Sequence, residues 1–97
     1  MEVQRLGLIA GNGRFPVLVL EEALRREIAV TVAAIREETF PEIDKFANKP
    51  QVSVHWLGLG QLGKLIRVFK GEGVQKAIMA GQVRHAQIFS RKGGDSV

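Results

Sequence analysis

The fold is decided by residues 6–15, which read LGLIAGNGRF near the start of the chain. An apolar run ends in Gly11-Asn12-Gly13, and an amphipathic segment follows at once. This order is typical of a buried parallel strand that passes through a tight turn into a crossover helix. Glycines let the backbone approach a ligand closely, and the first amides of a helix, near Phe15, favour an anion such as phosphate. With Arg14 beside them, the turn is either an anion site or a turn whose glycines serve geometry alone.

Composition limits the classes of protein to consider. The chain has 97 residues, 45% hydrophobic and 25% charged residues, and a net charge of +4, as expected for one globular domain. The basic residues are scattered and form no stripe, which argues against nucleic-acid binding and favours an anionic small molecule. There is no cysteine. Because the sequence shows neither a signal peptide nor an apolar run of membrane-spanning length, we expect a cytoplasmic protein, with contact at the inner-membrane surface left open.

The first half of the chain predicts a strand, a helix, a second strand and a flap. After Pro16, the helix presents Leu20, Leu24 and Ile28 on one side, and Phe15, Leu18 and Val19 widen that apolar face. Residues 29–35 form the second strand. Glu37 or Glu38 at its end either meets a ribose hydroxyl or belongs to a solvated loop. Residues 40–50 predict a short helix or an irregular flap, held to the body by Ile43 and Phe46.

The third strand, residues 51–57, alternates apolar and polar positions and suits a sheet edge. His55 within it is more typical of a structural histidine than of a catalytic base. The next segment, GLGQLG at residues 58–63, has the glycine spacing of a dinucleotide fingerprint. It follows the wrong strand, however, and lacks the acidic partner. A helix then presents Leu62, Leu65, Ile66 and Phe69 on one face.

A fourth strand, residues 77–80, ends in Gly81-Gln82, and residues 86–89 predict the start of another helix. The alternation of strands and helices predicts an α/β fold, with a Rossmann-like parallel sheet of about four strands and flanking helices. Right-handed crossovers bring the glycine turns to the same, carboxyl edge of this sheet. We expect residues 1–90 to form this domain and residues 91–97 to be a disordered tail.

Three motifs together resemble the amino-terminal domain of the LpxI family: GLIAGNGRFP at residues 7–16, WLGLGQLGK at residues 56–64 and MAGQVRH at residues 79–85. The resemblance implies a UDP-2,3-diacylglucosamine pyrophosphatase of lipid A biosynthesis. Such an enzyme hydrolyses its substrate to lipid X and UMP, with magnesium as the expected metal. It also implies a Rossmann-like amino-terminal domain followed by a carboxyl-terminal domain that carries the acidic catalytic residues.

The sequence has no counterpart of that second domain, so we expect the 97 residues to bind substrate without catalysing its hydrolysis alone. We expect no catalytic residue, metal ligand or cofactor within them. The missing carboxyl-terminal domain would be a partner, and the surface exposed by its absence predicts self-association. The expected substrate-binding residues are Gly11, Asn12, Gly13, Arg14, Gly81, Gln82 and Arg84.

Two other functions compete with this one. A non-catalytic α/β module that binds a nucleotide or mediates assembly would need no acidic cluster, and the chain has none at the predicted ligand edge. A dinucleotide oxidoreductase rests on Gly58, Gly60 and Gly63 alone.

Overall fold

The computed structural model of the protein describes residues 5–82. Four strands, two α-helices and two 3-10 helices follow one another along this part of the chain. Their order is β1 (Arg5–Ala10), α1 (Phe15–Arg25), β2 (Ala29–Ile35), the first 3-10 helix (Pro41–Phe46), β3 (Val52–Leu57), the second 3-10 helix (Leu59–Gln61), α2 (Lys64–Gly71) and β4 (Lys76–Ala80). The predicted helix at residues 86–89 and the predicted tail lie outside the described residues.

The strands form one parallel sheet in the order β3-β2-β1-β4, which confirms the predicted α/β fold. β1 is central, and Leu8 lies between Val32 of β2 and Ile78 of β4. The strand order reverses at β1, because β2 and β3 extend to one side of it and β4 lies on the other. In open parallel sheets, this reversal is where ligands bind.

Helices cover the sheet on both faces, as the nearly continuous apolar strands require. On one face, Leu20 and Ala23 of α1 pack in the same buried cluster as Leu8, Val30 and Val32. On the other face, Phe69 of α2 packs with Ala33 and Leu57. The first 3-10 helix is held to the α1 side by Ile43, which is fully buried, and by a 2.8 Å hydrogen bond from Trp56 Nε1 to Asp44 Oδ1. The predicted flap is therefore a short, anchored helix.

The ends and faces of the helices differ from the sequence-based expectation. α1 ends at Arg25, and Glu27 takes a φ of +61°, so Ile28 packs from the following turn instead of from the helix. Phe15, Leu18 and Ile66 were expected on apolar, core-facing stripes, yet they are 58%, 48% and 62% exposed. The apolar faces of the two helices extend past the edge of the sheet, since among residues 5–82 no strand lies beyond the short strand β4.

Candidate functional site

The chain closes the gap between β1 and β4 with backbone hydrogen bonds. The Gly11 N–H donates to the Ala80 carbonyl at 2.8 Å, and the Gln82 N–H donates to the Asn12 carbonyl at 3.0 Å. The Asn12 N–H in turn donates to the Gln82 carbonyl, which makes an antiparallel bridge between these two residues. The two glycine turns that follow β1 and β4 are therefore joined at the carboxyl edge of the sheet.

Glycine is required at both turns because the backbones approach so closely. A Cβ atom on Gly11 would lie 2.5 Å from the Gln82 carbonyl oxygen, and one on Gly81 would lie 2.6 Å from the Asn12 carbonyl oxygen. Gly81 also has a φ of +92°, where other residues are strained. These two glycines fit the geometric interpretation of the turn, since their immediate space is filled by protein backbone.

Side chains from two elements fasten the end of β1 to the end of β2. Asn12 Nδ2 donates to the Glu38 carbonyl at 3.0 Å. The buried Thr39 hydroxyl donates to the Ala10 carbonyl at 2.6 Å and accepts from the Ile35 N–H at 2.8 Å. Glu38 itself is only 3% exposed, so it is not part of a solvated loop. Sequence reasoning missed Thr39, although a hydroxyl just beyond a strand end is well suited to bind carbonyls there.

Free backbone donors begin one residue after this bridge. Gly13 has a φ of +103° and open space around its Cα, and Arg14 is the exposed N-cap residue of α1. Among residues 5–82, no acceptor pairs with the N–H groups of Gly13, Arg14 and Phe15. Pro16, which lacks an N–H, occupies the first turn of the helix as predicted. The start of α1 thus presents consecutive donors and one cationic side chain at the point where the strand order reverses.

The glycine turn that follows β3, residues 58–63, is closed by the protein's own side chains. Gln61 Oε1 accepts from the Gly58 N–H at 2.9 Å and from Arg36 Nη1 at 2.9 Å. Glu37 Oε1 accepts from the Leu59 N–H at 3.0 Å. These contacts occupy the first two N–H groups of the turn, on Gly58 and Leu59, and they occupy the Glu37 carboxylate considered for a ribose. The geometry therefore argues against the dinucleotide alternative.

A groove of about 330 Å³ opens between α1 and the first 3-10 helix, beside the glycine turn that follows β1. It combines aromatic side chains with charges of both signs: Arg14, Glu21, Phe40, Glu42, Lys45 and Phe46. Arg14 belongs both to the start of α1 and to this groove. A ligand held at the helix start could therefore extend along the groove towards the two phenylalanines.

A polar cluster lies at the amino-terminal half of the sheet, on the α2 face. Glu72 Oε1 accepts from the Thr31 hydroxyl at 3.1 Å, and Glu72 Oε2 lies 3.3 Å from His55 Nε2. Arg5 Nη1 donates to Thr31 at 3.0 Å, and Ser53 Oγ lies 3.2 Å from His55 Nε2. Because the same imidazole nitrogen faces both Ser53 and Glu72, this is not the two-nitrogen relay of a hydrolytic triad.

This cluster changes the pKa of the Glu72 carboxyl. Burial alone raises its pKa, but hydrogen bonds from Thr31, Ser53 and His55 outweigh burial and lower the pKa below its usual value. His55 therefore has hydrogen-bonding partners within the fold. Sequence reasoning missed the partner itself: Glu72 follows α2 directly, and only the packing of that helix brings its carboxylate over β3.

The structure brings most of the expected substrate-binding residues to one place. Six of them lie at the carboxyl edge, in the two joined turns: Gly11, Asn12, Gly13, Arg14, Gly81 and Gln82. Arg84 lies outside the described residues. Within residues 5–82, no three His, Asp or Glu side chains come together as a metal site. In the same part of the chain, no helix has the length and apolar character to cross a membrane.

A parallel sheet in the order β3-β2-β1-β4, with glycine turns where that order reverses, defines a Rossmann-like α/β domain. Comparison with known families is more specific. The chain matches the LpxI N-terminal domain over residues 5–96 and belongs to that family. It is 31% identical over 81 residues to the UDP-2,3-diacylglucosamine pyrophosphatase LpxI of Caulobacter vibrioides. That match covers 84% of this chain but only 27% of the relative, so the chain spans about a quarter of the relative's length.

Proposed function

We propose that this chain is the substrate-binding amino-terminal part of a UDP-2,3-diacylglucosamine pyrophosphatase of lipid A biosynthesis. Family membership supports this function, as does the relative whose name states that substrate. The observation that carries it is the row of free N–H groups on Gly13, Arg14 and Phe15 beside the Arg14 guanidinium. A UDP-linked lipid presents a pyrophosphate, and such an anion is bound well by the first amides of a helix.

The expected binding residues take different roles in this proposal. Phosphate oxygens accept from the amides that begin at Gly13, and Arg14 adds a charge-assisted hydrogen bond. Gly11 and Gly81 act indirectly, because their lack of a Cβ lets the two turns join. Gln82 is exposed beside the helix start, where a polar side chain suits sugar hydroxyls, and Asn12 positions the turn because its Nδ2 donates to the Glu38 carbonyl. Arg84 contributes a further positive charge from outside the described residues.

The groove between α1 and the first 3-10 helix would receive the nucleoside. Arg14 links the helix start to this groove, which is also lined by Phe40 and Phe46. Both rings are partly buried, so they offer a rigid apolar surface to a pyrimidine. Lys45 on the same wall adds a cation near the nucleotide.

We assign no catalytic residue within residues 5–82. In this proposal, hydrolysis to lipid X and UMP needs residues beyond them, together with magnesium held there as a Lewis acid. The 97-residue chain would then bind UMP and the substrate without turnover.

The experiment is a titration of the 97-residue protein with UMP, followed through backbone amide shifts by NMR. We expect shifts at Gly13, Arg14 and Phe15, and further shifts at Phe40 and Phe46. Inorganic phosphate should reproduce the first group without the second. Arg14→Gln should weaken UMP binding about tenfold, the loss expected for one charge-assisted hydrogen bond.

Arg67→Gln is the matched control, since Arg67 is an exposed arginine on α2, away from the groove. It should leave UMP binding unchanged. Equal losses in the two variants would indicate a nonspecific charge effect and contradict the site. Turnover of UDP-2,3-diacylglucosamine by the 97-residue chain would contradict the binding-only role.

A further inference from the structure

The groove between α1 and the first 3-10 helix is lined by four charged side chains, two of each sign. Arg14 and Glu21 stand on the α1 wall, and Glu42 and Lys45 stand on the opposite wall. Among residues 5–82, none of the four takes part in an ion pair, although charges of both signs line the same space. These charges are therefore available to a ligand that carries both an anionic group and hydrogen-bond donors.

The α1 wall arranges its residues at the spacing of one helix face. Arg14, Val17 and Glu21 are three and then four residues apart, and all three line the groove. Glu21 follows Phe15, which carries the last of the free N–H groups, by six residues, or about 9 Å along the helix axis. Because helical side chains lean towards the amino terminus, the Glu21 carboxylate is brought closer to these amides than its Cα is. The span that remains is comparable with one ribose.

We propose that Glu21 binds the ribose hydroxyls of the nucleotide and makes the groove selective for ribonucleotides over 2′-deoxyribonucleotides. This inference rests on the proposed function, which places the phosphate at the start of α1. A carboxylate accepts hydrogen bonds, and the adjacent 2′ and 3′ hydroxyls of a ribose can both donate. In dinucleotide-binding Rossmann domains, an acidic residue after the second strand takes this role. Here Glu37, at that position, already accepts from the Leu59 N–H, which leaves the α1 carboxylate to bind the ribose.

Glu21 is better placed for this role than Glu42, the other carboxylate of the groove. The residue before Glu21, Leu20, is fully buried in the core and fixes this part of α1 against the sheet. Glu42 stands on the short 3-10 helix, on the wall that also carries Phe46. A ribose lies between the phosphate and the base, so it passes the α1 wall before the base reaches the phenylalanines. Lys45 and the Arg14 guanidinium offset the repulsion between Glu21 and the phosphate.

The test compares UMP with 2′-deoxyuridine 5′-monophosphate (dUMP), which lacks one hydroxyl. Both are titrated into the 97-residue protein by NMR, with the amides of Gly13, Arg14 and Phe15 as reporters of phosphate binding. UMP should bind about tenfold more tightly than dUMP, the difference expected for one hydrogen bond to a charged group. Glu21→Ala should bring this ratio close to one. The variant should fold normally, because Glu21 is exposed and alanine favours a helix.

Glu42→Ala is the matched control, since it removes the same charge from the opposite wall of the same groove. It should keep the tenfold ratio, and a ratio that is lost in Glu42→Ala or kept in Glu21→Ala would overturn the inference. Equal binding of UMP and dUMP by the unaltered protein would also overturn it. The proposed function would still stand in that case, provided that both nucleotides shift the amides from Gly13 to Phe15. If neither nucleotide shifts these amides, the proposed function fails and this inference fails with it.

Discussion

The two ends of the sheet are held together by different chemistry. At the carboxyl end, the Gly11 N–H bonds to the Ala80 carbonyl and the backbones of Asn12 and Gln82 bond to each other, so no ionised group takes part in these bonds. At the amino-terminal half, the side chains of Thr31, Ser53 and His55 converge on the Glu72 carboxylate. One end therefore depends on the absence of side-chain atoms, and the other depends on an ionised side chain. Substitutions and changes of pH should therefore affect the stability of the two ends differently.

The largest effect is expected from adding a single methyl group at the carboxyl end. Gly11→Ala and Gly81→Ala each force a Cβ to within about 2.6 Å of a backbone oxygen, and backbone cannot rotate away as a side chain can. We expect each to lower the free energy of unfolding by about 3 kcal/mol, measured by urea denaturation.

Gly60→Ala is the control for these two variants, because a Cβ there meets nothing within 4 Å and the residue has no positive φ. It should change stability by less than about 1 kcal/mol. A loss at Gly60 equal to that at Gly11 would show that close backbone approach does not explain the sensitivity.

An intermediate effect is expected from Thr39→Val, which removes the hydroxyl that joins β1 to β2. The Ala10 carbonyl and the Ile35 N–H would lose a partner in a buried place. The cost of leaving such groups unsatisfied is about 2 kcal/mol. The loss should be the same at pH 7 and at pH 4, since neither group titrates there, and a pH-dependent loss would contradict this assignment.

The smallest effect at neutral pH is expected from Glu72→Gln, at about 1 kcal/mol, because the amide keeps part of the hydrogen bonding. Its signature is the pH dependence. The pKa of Glu72 is lowered in the folded state, so the carboxylate stabilises the fold above its ordinary pKa of 4.5. This contribution is lost as the pH falls below 4.5 towards the folded-state pKa.

Urea denaturation from pH 7 to pH 3 measures this difference. The difference in the free energy of unfolding between wild type and Glu72→Gln should narrow as the pH falls. The corresponding difference for Gly11→Ala should stay constant. A gap that widens in acid would mean that Glu72 does not stabilise the fold as a carboxylate.

Much of the fold could be predicted from the sequence, because strand and helix periodicities are local. The four strands and the start of α1 near Phe15 follow from runs of apolar residues and from glycine positions. The second helix was predicted to include Leu62, but α2 begins at Lys64, after a 3-10 turn at Leu59–Gln61. Exposure could not be predicted in the same way. Ile66 and Leu18 fit apolar stripes, but burial depends on how far the sheet extends beneath each helix.

The candidate site was only partly predictable for a related reason. From the sequence, the glycine turns after β1 and after β3 both look suitable for an anion, but side-chain contacts decide which backbone N–H groups are free. Gln61 lies three residues after Gly58, which is the spacing of a capping box. This spacing was a local signal that the Gln61 side chain would accept from the Gly58 N–H in the turn after β3. The contributions of Glu37 and Glu72 come from other elements, so only the folded arrangement reveals them.

The bridge between Asn12 and Gln82 also sets an order of events during synthesis. The first turn leaves the ribosome early, but its partner is the eighty-second residue, so the closing contact is highly non-local. β1, α1 and β2 can begin to pack while the Asn12 amide still lacks its partner. The edge proposed to bind the anion therefore cannot be completed before Gln82 has been synthesised, and a nascent chain that stalls before Gln82 would carry an open turn after β1.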